Sequence, residues 1–171
     1  VDIKPKPSGI NLVEDNKTEY RIVYETGGSA CTLSAASELQ SFIEKSSGVR
    51  VPVTQDTGED FDSHNKVISL GNTSIFKTSG LTITSDMRNT GYYMKRFDNT
   101  LVINAKDGNG VLNAAYDMLN YTIGLEFYAD DEYVYEEMET IPLLDFDIKR
   151  IPYVDMRDIL MKALSTQYRH R

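Results

Sequence analysis

Apolar and polar positions divide this chain into short strands and two longer helices. The clearest division lies between Leu101 and Tyr128. Leu101 to Ala105 is an apolar run that predicts a strand, and Gly108-Asn109-Gly110 predicts a turn. Val111 to Thr122 predicts a helix, because Val111, Leu112, Ala114, Ala115, Met118, Leu119 and Thr122 recur at three- and four-residue spacing. Asp107 or Asn109 is placed to cap its start and Gly124 to stop it. Leu125 to Ala129 and Glu132 to Tyr135 then read as two strands about Asp130-Asp131.

The remaining elements follow from the same two periods. Val1 to Gly9 has no periodicity and reads as an arm, with a short strand at Ile10 to Val13 and a turn at Asp15-Asn16-Lys17. Tyr20 to Glu25 alternates, which predicts a half-buried strand with Tyr20, Ile22 and Tyr24 on one face. Ser34 to Ser46 predicts the other helix, with Ala35, Ala36, Leu39, Phe42 and Ile43 on its apolar stripe. Ser34 is its expected cap, Glu38 falls in its first turn, and Gly48 ends it. Pro52 places the Val49 to Val53 segment at a sheet edge. Gln55 to Lys66 reads as a loop and Val67 to Leu70 as a buried strand. Ser74 to Lys77 reads as a helical turn. Gly91 to Ala105 reads as a hairpin turning at Asp98-Asn99, and Ile141 to Pro152 as an extended exit.

These elements add up to an α/β (α+β) domain: a mixed β-sheet with both main amphipathic helices on one face. The expected division is an N-terminal arm at 1–16, an α/β domain at 17–150 and a junction at 151–171.

Composition narrows the function. The 171 residues suffice for one domain with a substantial core. The net charge of −8 disfavours nucleic acid, whose phosphates need a basic face, and disfavours an anionic membrane surface. No apolar run approaches the roughly 18 residues of a membrane span. The first nine residues, VDIKPKPSG, have no apolar core of a signal peptide.

Candidate chemistry is sparse. Gly108-Asn109-Gly110 imitates a dinucleotide-binding turn, but the third glycine of that motif is replaced by Asn113, so no cofactor is expected. Those glycines are expected to turn the backbone into the helix. Cys31, the sole cysteine, reads as a small buried side chain just before a helix; a thiol nucleophile would need a histidine beside it, and only His64 and His170 exist. The acids Asp130, Asp131, Glu132, Glu136, Glu137 and Glu139 lack the spacing of a calcium loop and read as a solvated edge. No zinc motif or serine-hydrolase elbow occurs, and no catalytic, metal or cofactor-binding residue is assigned. Three glycosylation sequons, at Asn16, Asn72 and Asn120, read as chance matches. Tyr92, Tyr93, Tyr116, Tyr121, Tyr128, Tyr133 and Tyr135 read mainly as packing residues, with a sugar-stacking surface as the alternative.

The order of the motifs carries more than any one of them. Ala36, Glu38, Leu39, Gly48 and Pro52 come first, then Ile68, Leu70 and Gly71. Gly110, Ala114, Tyr116, Leu119, Gly124, Phe127 and Tyr128 follow. This series resembles the N-terminal domain that precedes the (β/α)8 barrel of several glycoside hydrolases, among them bacterial α-glucuronidases and β-N-acetylhexosaminidases. Glu126 departs from the pattern, standing where that family often has Arg or Lys. The resemblance implies a non-catalytic accessory domain with the catalytic acids in the barrel. It implies Pro152 to Arg157 as the junction and Tyr128, Pro152, Tyr153 and Arg157 as barrel-contact residues. It also implies an extracellular or cell-envelope setting, with the barrel of the same protein as partner and carbohydrate as a second. An independent carbohydrate- or protein-binding module is the alternative.

Overall fold

A computed structural model of the chain describes residues 5–84, 86–87, 90–129 and 132–151. Its centre is a six-stranded sheet in the order β10-β5-β6-β4-β2-β3. The parallel strands are β2 (Arg21–Tyr24), β3 (Val53–Gln55), β4 (Val67–Leu70) and β6 (Thr100–Asn104). β5 (Tyr92–Phe97) runs antiparallel to β6 as the predicted hairpin, with Asp98 at φ 50° in its turn. β10 (Asp147–Arg150) closes that edge antiparallel to β5. The sheet is therefore mixed, as expected.

α1 (Ala30–Ser47) and α3 (Gly108–Ile123) pack against each other on one face of this sheet. That face presents Ile22, Ile68, Leu70, Met94, Leu101 and Ile103, all fully buried. The opposite face presents Val23, Val67 and Val102, which a short helix, α2 (Ser74–Thr78), covers with Ile75 and Phe76. The central strands are thus buried on both sides. This corrects the half-buried reading of β2. Its alternation is real, but Val23 faces α2 rather than water.

Local chemistry accounts for the helix ends. The Asp107 carboxylate accepts the Asn109 N–H at 2.7 Å and caps α3. Gly124 and Gly48 take left-handed φ values of 70° and 76° to stop α3 and α1, a conformation that costs glycine no Cβ clash. The expected cap of α1 was misplaced. Ser29, not Ser34, accepts the Thr32 N–H at 3.3 Å, so the helix starts four residues earlier and Glu38 lies in its middle. The stripe extends back to buried Thr32, which makes the longer helix worth forming. At the sheet edge, β3 begins at Val53, just after Pro52, and occupies the edge position that the proline implies.

The chain's two flanks depart from expectation. β1 (Pro7–Val13) pairs antiparallel with β9 (Ile141–Leu144), and the ribbon buries Leu12, Val13, Ile141 and Leu143 in the main core. An arm at 1–16 is therefore corrected: residues 7–13 belong to the domain, because their apolar side chains have a partner more than 120 positions downstream. The extended exit from Ile141 likewise breaks into two paired strands, β9 and β10. A further hairpin, β7 (Glu126–Ala129) with β8 (Glu132–Val134), lies beyond α3.

The Gly108–Gly110 turn serves close packing rather than an unusual backbone. A Cβ on Gly110 would lie 2.0 Å from the Gly91 carbonyl oxygen and 2.5 Å from the Ala105 Cβ. Helix propensity alone predicts that Gly110→Ala stabilises α3 by about 1 kcal/mol. The clash is with backbone, which cannot step aside, so overpacking decides the sign. Gly110→Ala is expected to cost about 1–3 kcal/mol in a urea unfolding curve.

Candidate functional site

The β7–β8 hairpin carries the one expected contact residue that is described. Its two faces differ. Phe127 and Tyr133 are cross-strand partners and turn inward. Their rings lie 6.1 and 5.2 Å from Phe42 of α1, edge to face, and Phe127 is 5.6 Å from Tyr116 of α3. Lys45 sits 4.6 Å from the Phe42 ring centre and donates to the Tyr133 hydroxyl at 3.0 Å. The outward face holds Tyr128, 62% exposed, and Val134, 46% exposed, beside Glu126 and Glu132. Tyr128 donates to Glu126 at 3.2 Å. Pro152, Tyr153 and Arg157 lie outside the described residues.

The tyrosines form a packing cluster and not an open platform. Tyr92 is fully buried, and Tyr116, Tyr121, Tyr133 and Tyr135 are half-buried against the core. Of the seven, Tyr128 alone is exposed. Stacking a sugar needs a free ring face; Tyr133 and Tyr135 stack on each other, and Tyr116 and Tyr121 pack against Phe127 and Phe146.

Open α/β sheets bind ligands at the carboxyl ends of their parallel strands. Here that end is filled from within. Glu25 follows β2, accepts from the Thr32 hydroxyl at 3.4 Å and lies against Gly71, where an added Cβ would sit 2.7 Å from its Oε1. A phosphate arriving beside the start of α1 would meet this carboxylate. The starts of α1 and α3 also touch: a Cβ on Gly108 would be 1.9 Å from the Ser29 hydroxyl. Both observations strengthen the case against a dinucleotide turn.

Cys31 stands in the first turn of α1, not before it, and is half-buried. Its thiol donates to the Asn109 side-chain oxygen at 3.2 Å. His64 binds Asp62 at 3.1 Å in the loop beside the β5–β6 turn, at the opposite end of the sheet. Those two residues are not brought together, and His170 is outside the described residues. Among the described residues, no group of three or more His, Cys, Asp or Glu is arranged to hold a metal, and no helix is long and apolar enough to cross a membrane. The sequon asparagines Asn16 and Asn120 donate to the Ser47 and Leu125 carbonyls at 2.7 and 3.0 Å. A groove of about 670 Å³, lined by Glu14, Lys17, Glu19 and Lys66 among others, opens at the amino ends of β2 and β4. That is the end of a parallel sheet that ligands ordinarily avoid.

Sequence reasoning missed one cluster. Tyr92 of β5 donates its buried hydroxyl to Asp117 of α3 at 2.6 Å, and Arg150 of β10 reaches the same hydroxyl at 3.3 Å and Asp117 at 3.5 Å. Burial, reinforced by the Asp117 charge, pushes the Tyr92 phenol far above its ordinary range. The available signal was Tyr92 itself, since a tyrosine on a buried strand face needs a partner for its hydroxyl. The partner's identity lay in distant segments.

Two solved glycoside hydrolases share this fold. A GH20 β-N-acetylhexosaminidase from Streptomyces coelicolor A3(2) matches with a TM-score of 0.51 at 14% identity, over 86% of this chain and 25% of that one. A family GH115 4-O-methyl-α-glucuronidase with specificity for decorated arabinogalactans matches with a TM-score of 0.57 at 16% identity, over 85% of this chain and 19% of that one. The chain therefore has a glycoside-hydrolase-like α/β fold, and it spans a quarter or less of the length of these two proteins. No protein-family model and no curated protein sequence matches it.

Glu38 provides a direct check of the aromatic cluster. Burial raises its carboxyl above the ordinary range, while Lys45 and a hydrogen bond from Tyr116 pull it partly back. A folded-state value above the unfolded one means that the charged form opposes folding. The penalty is absent below the unfolded value, grows as pH rises through the folded one, and is full at neutral pH. Glu38→Gln, which keeps an acceptor for Tyr116, is expected to raise the melting temperature at pH 7 by no more than about 2 °C and to leave it unchanged near pH 3. A fall at pH 7 in scanning calorimetry would show that the charge helps the cluster.

Proposed function

We propose that this chain is a non-catalytic accessory domain of a larger, glycoside-hydrolase-like carbohydrate-active protein, and that it packs against that protein's catalytic barrel. The observation that supports this reading is the coverage. Most of this chain matches, and it matches a minor part of two sugar hydrolases that otherwise differ in family and substrate. A unit shared by enzymes of different substrates carries architecture more readily than chemistry. In this reading the barrel supplies the carboxylates that cleave the glycosidic bond. The outward face of the β7–β8 hairpin, with Tyr128, is one contact surface, and Pro152, Tyr153 and Arg157 form the junction. An independent carbohydrate-binding module would need aromatic rings with free faces, and the half-buried tyrosine cluster offers few.

Reading the coding sequence beyond Arg171 checks the proposal. It is expected to specify a (β/α)8 barrel with acidic residues at its strand ends, and a stop codon directly after Arg171 would overturn it. The 171-residue chain by itself is expected to release no product from aryl N-acetyl-β-glucosaminides or glucuronic-acid-capped xylo-oligosaccharides. Turnover by the purified chain would make it an enzyme in its own right. Saturable binding of those oligosaccharides in calorimetric titration would favour the module instead.

A further inference from the structure

The geometry points to a latched strap at the edge of the sheet. β10 is held more by charge than by apolar burial, and Arg150 is its latch. Of the strand's four residues only Ile148 is apolar, and it is half-buried. β6, on the other side of β5, is fully buried along its length. What β10 lacks in apolar contact it replaces with ion pairs at three levels. Asp145, just before the strand, meets Arg96 at 3.1 Å; Asp147 meets Lys95 at 3.4 Å; Arg150 meets Asp117 at 3.5 Å.

These pairs are unequal. The Asp147–Lys95 pair has an acid that is 62% exposed, and exposed pairs contribute little to stability. Arg150 and Asp117 are 26% and 38% exposed and share the hydroxyl of Tyr92, which is completely buried. The Arg150 guanidinium also lies 5.8 Å from the Tyr92 ring centre. Arg150 thus ties the last residue of the strand to α3 as well as to β5. An edge strand frays from its end, so a fastening there controls the whole strand.

Release would expose the outer edge of β5 and free residues 147–150, while fully buried Phe146 still anchors the chain in the core. Four residues reach about 14 Å when extended. The latch is a property of this chain alone. Its consequence for a following barrel rests on the accessory-domain reading: a closed latch holds the link between domains short, and an open one lets the domains separate.

Hydrogen exchange followed by mass spectrometry on the 171-residue chain tests the latch without any barrel. Arg150→Met and Asp117→Asn are each expected to speed exchange of amides in 147–150 by about tenfold, the effect of losing one charge-assisted bond, with α1 and β4 unchanged. The unsubstituted chain in about 1 M NaCl, where the screening length is roughly 3 Å, is expected to move the same way. This arm needs no variant to fold. Exchange in 147–150 that stays within about twofold of the low-salt rate in all three arms would overturn the latch. So would acceleration spread evenly over α1 and β4, which marks general instability. Neither outcome bears on the sequence beyond Arg171, so the latch and the accessory-domain reading fail separately.

Discussion

The close approach of α3 to the sheet is the constraint on which the other contacts depend. Gly110 rests on the Gly91 carbonyl with no room for a side chain, so the amino end of α3 is seated directly on the β5–β6 hairpin. From that seat its apolar stripe, Val111, Ala114, Ala115 and Met118, lies over Leu101 and Ile103 and against α1. α1 is in turn set over β2, β3 and β4. Small residues at the helix contact permit this. Ala35 and Ala36 on α1 and Ala114 and Ala115 on α3 are all fully buried. With α3 raised by the width of a methyl group, Phe42 and Tyr116 would lose the spacing at which Phe127 packs edge-on between them.

Most of the fold was legible because most of it is local. The strands Val67–Leu70 and Thr100–Asn104, the hairpin turn at Asp98, the Asp107 cap and the stops at Gly48 and Gly124 all declare themselves within a few residues. What was misread is non-local. Pro7–Gly9 has the look of an arm, and Ile10–Val13 of a strand without a partner, until Ile141–Leu144 is laid beside them. β2 looked half-buried because alternation reports that two faces differ; it does not report that water lies on one of them. Residues 55–66 read as a polar loop and Ser74–Lys77 as a lone helical turn, yet Phe61, Ile75 and Phe76 form the cover over Val23 and Val102. The start of α1 was misplaced because two serines, Ser29 and Ser34, are equally fit to cap by type, and only the burial of Thr32 distinguishes them.

The candidate site was less legible than the fold, for a chemical reason. Function is written in side chains that converge, and here the residue types that usually announce a site are satisfied by their own neighbours. Glu25 is engaged by Thr32, the Cys31 thiol by Asn109, His64 by Asp62, Tyr133 by Tyr135, and Tyr116 and Tyr121 by Phe127 and Phe146. The polar cluster of Tyr92, Asp117 and Arg150 joins three separate elements through an ion pair and a phenol, which is the composition of a fastening.

The topology gives that fastening its place. The described chain begins in the β1–β9 ribbon, winds through the parallel strands to β6, and reaches β10 at the far edge of the sheet from β3. An edge strand has neighbours on one side only, so its free side and its downstream end are both available to whatever comes next. Had the exit followed β4 or β2, a departing segment would have had to cross the helices or α2. Placing β10 at an edge, with little apolar burial of its own and a charged pin at its last residue, lets the core remain closed whether or not the strand is fastened.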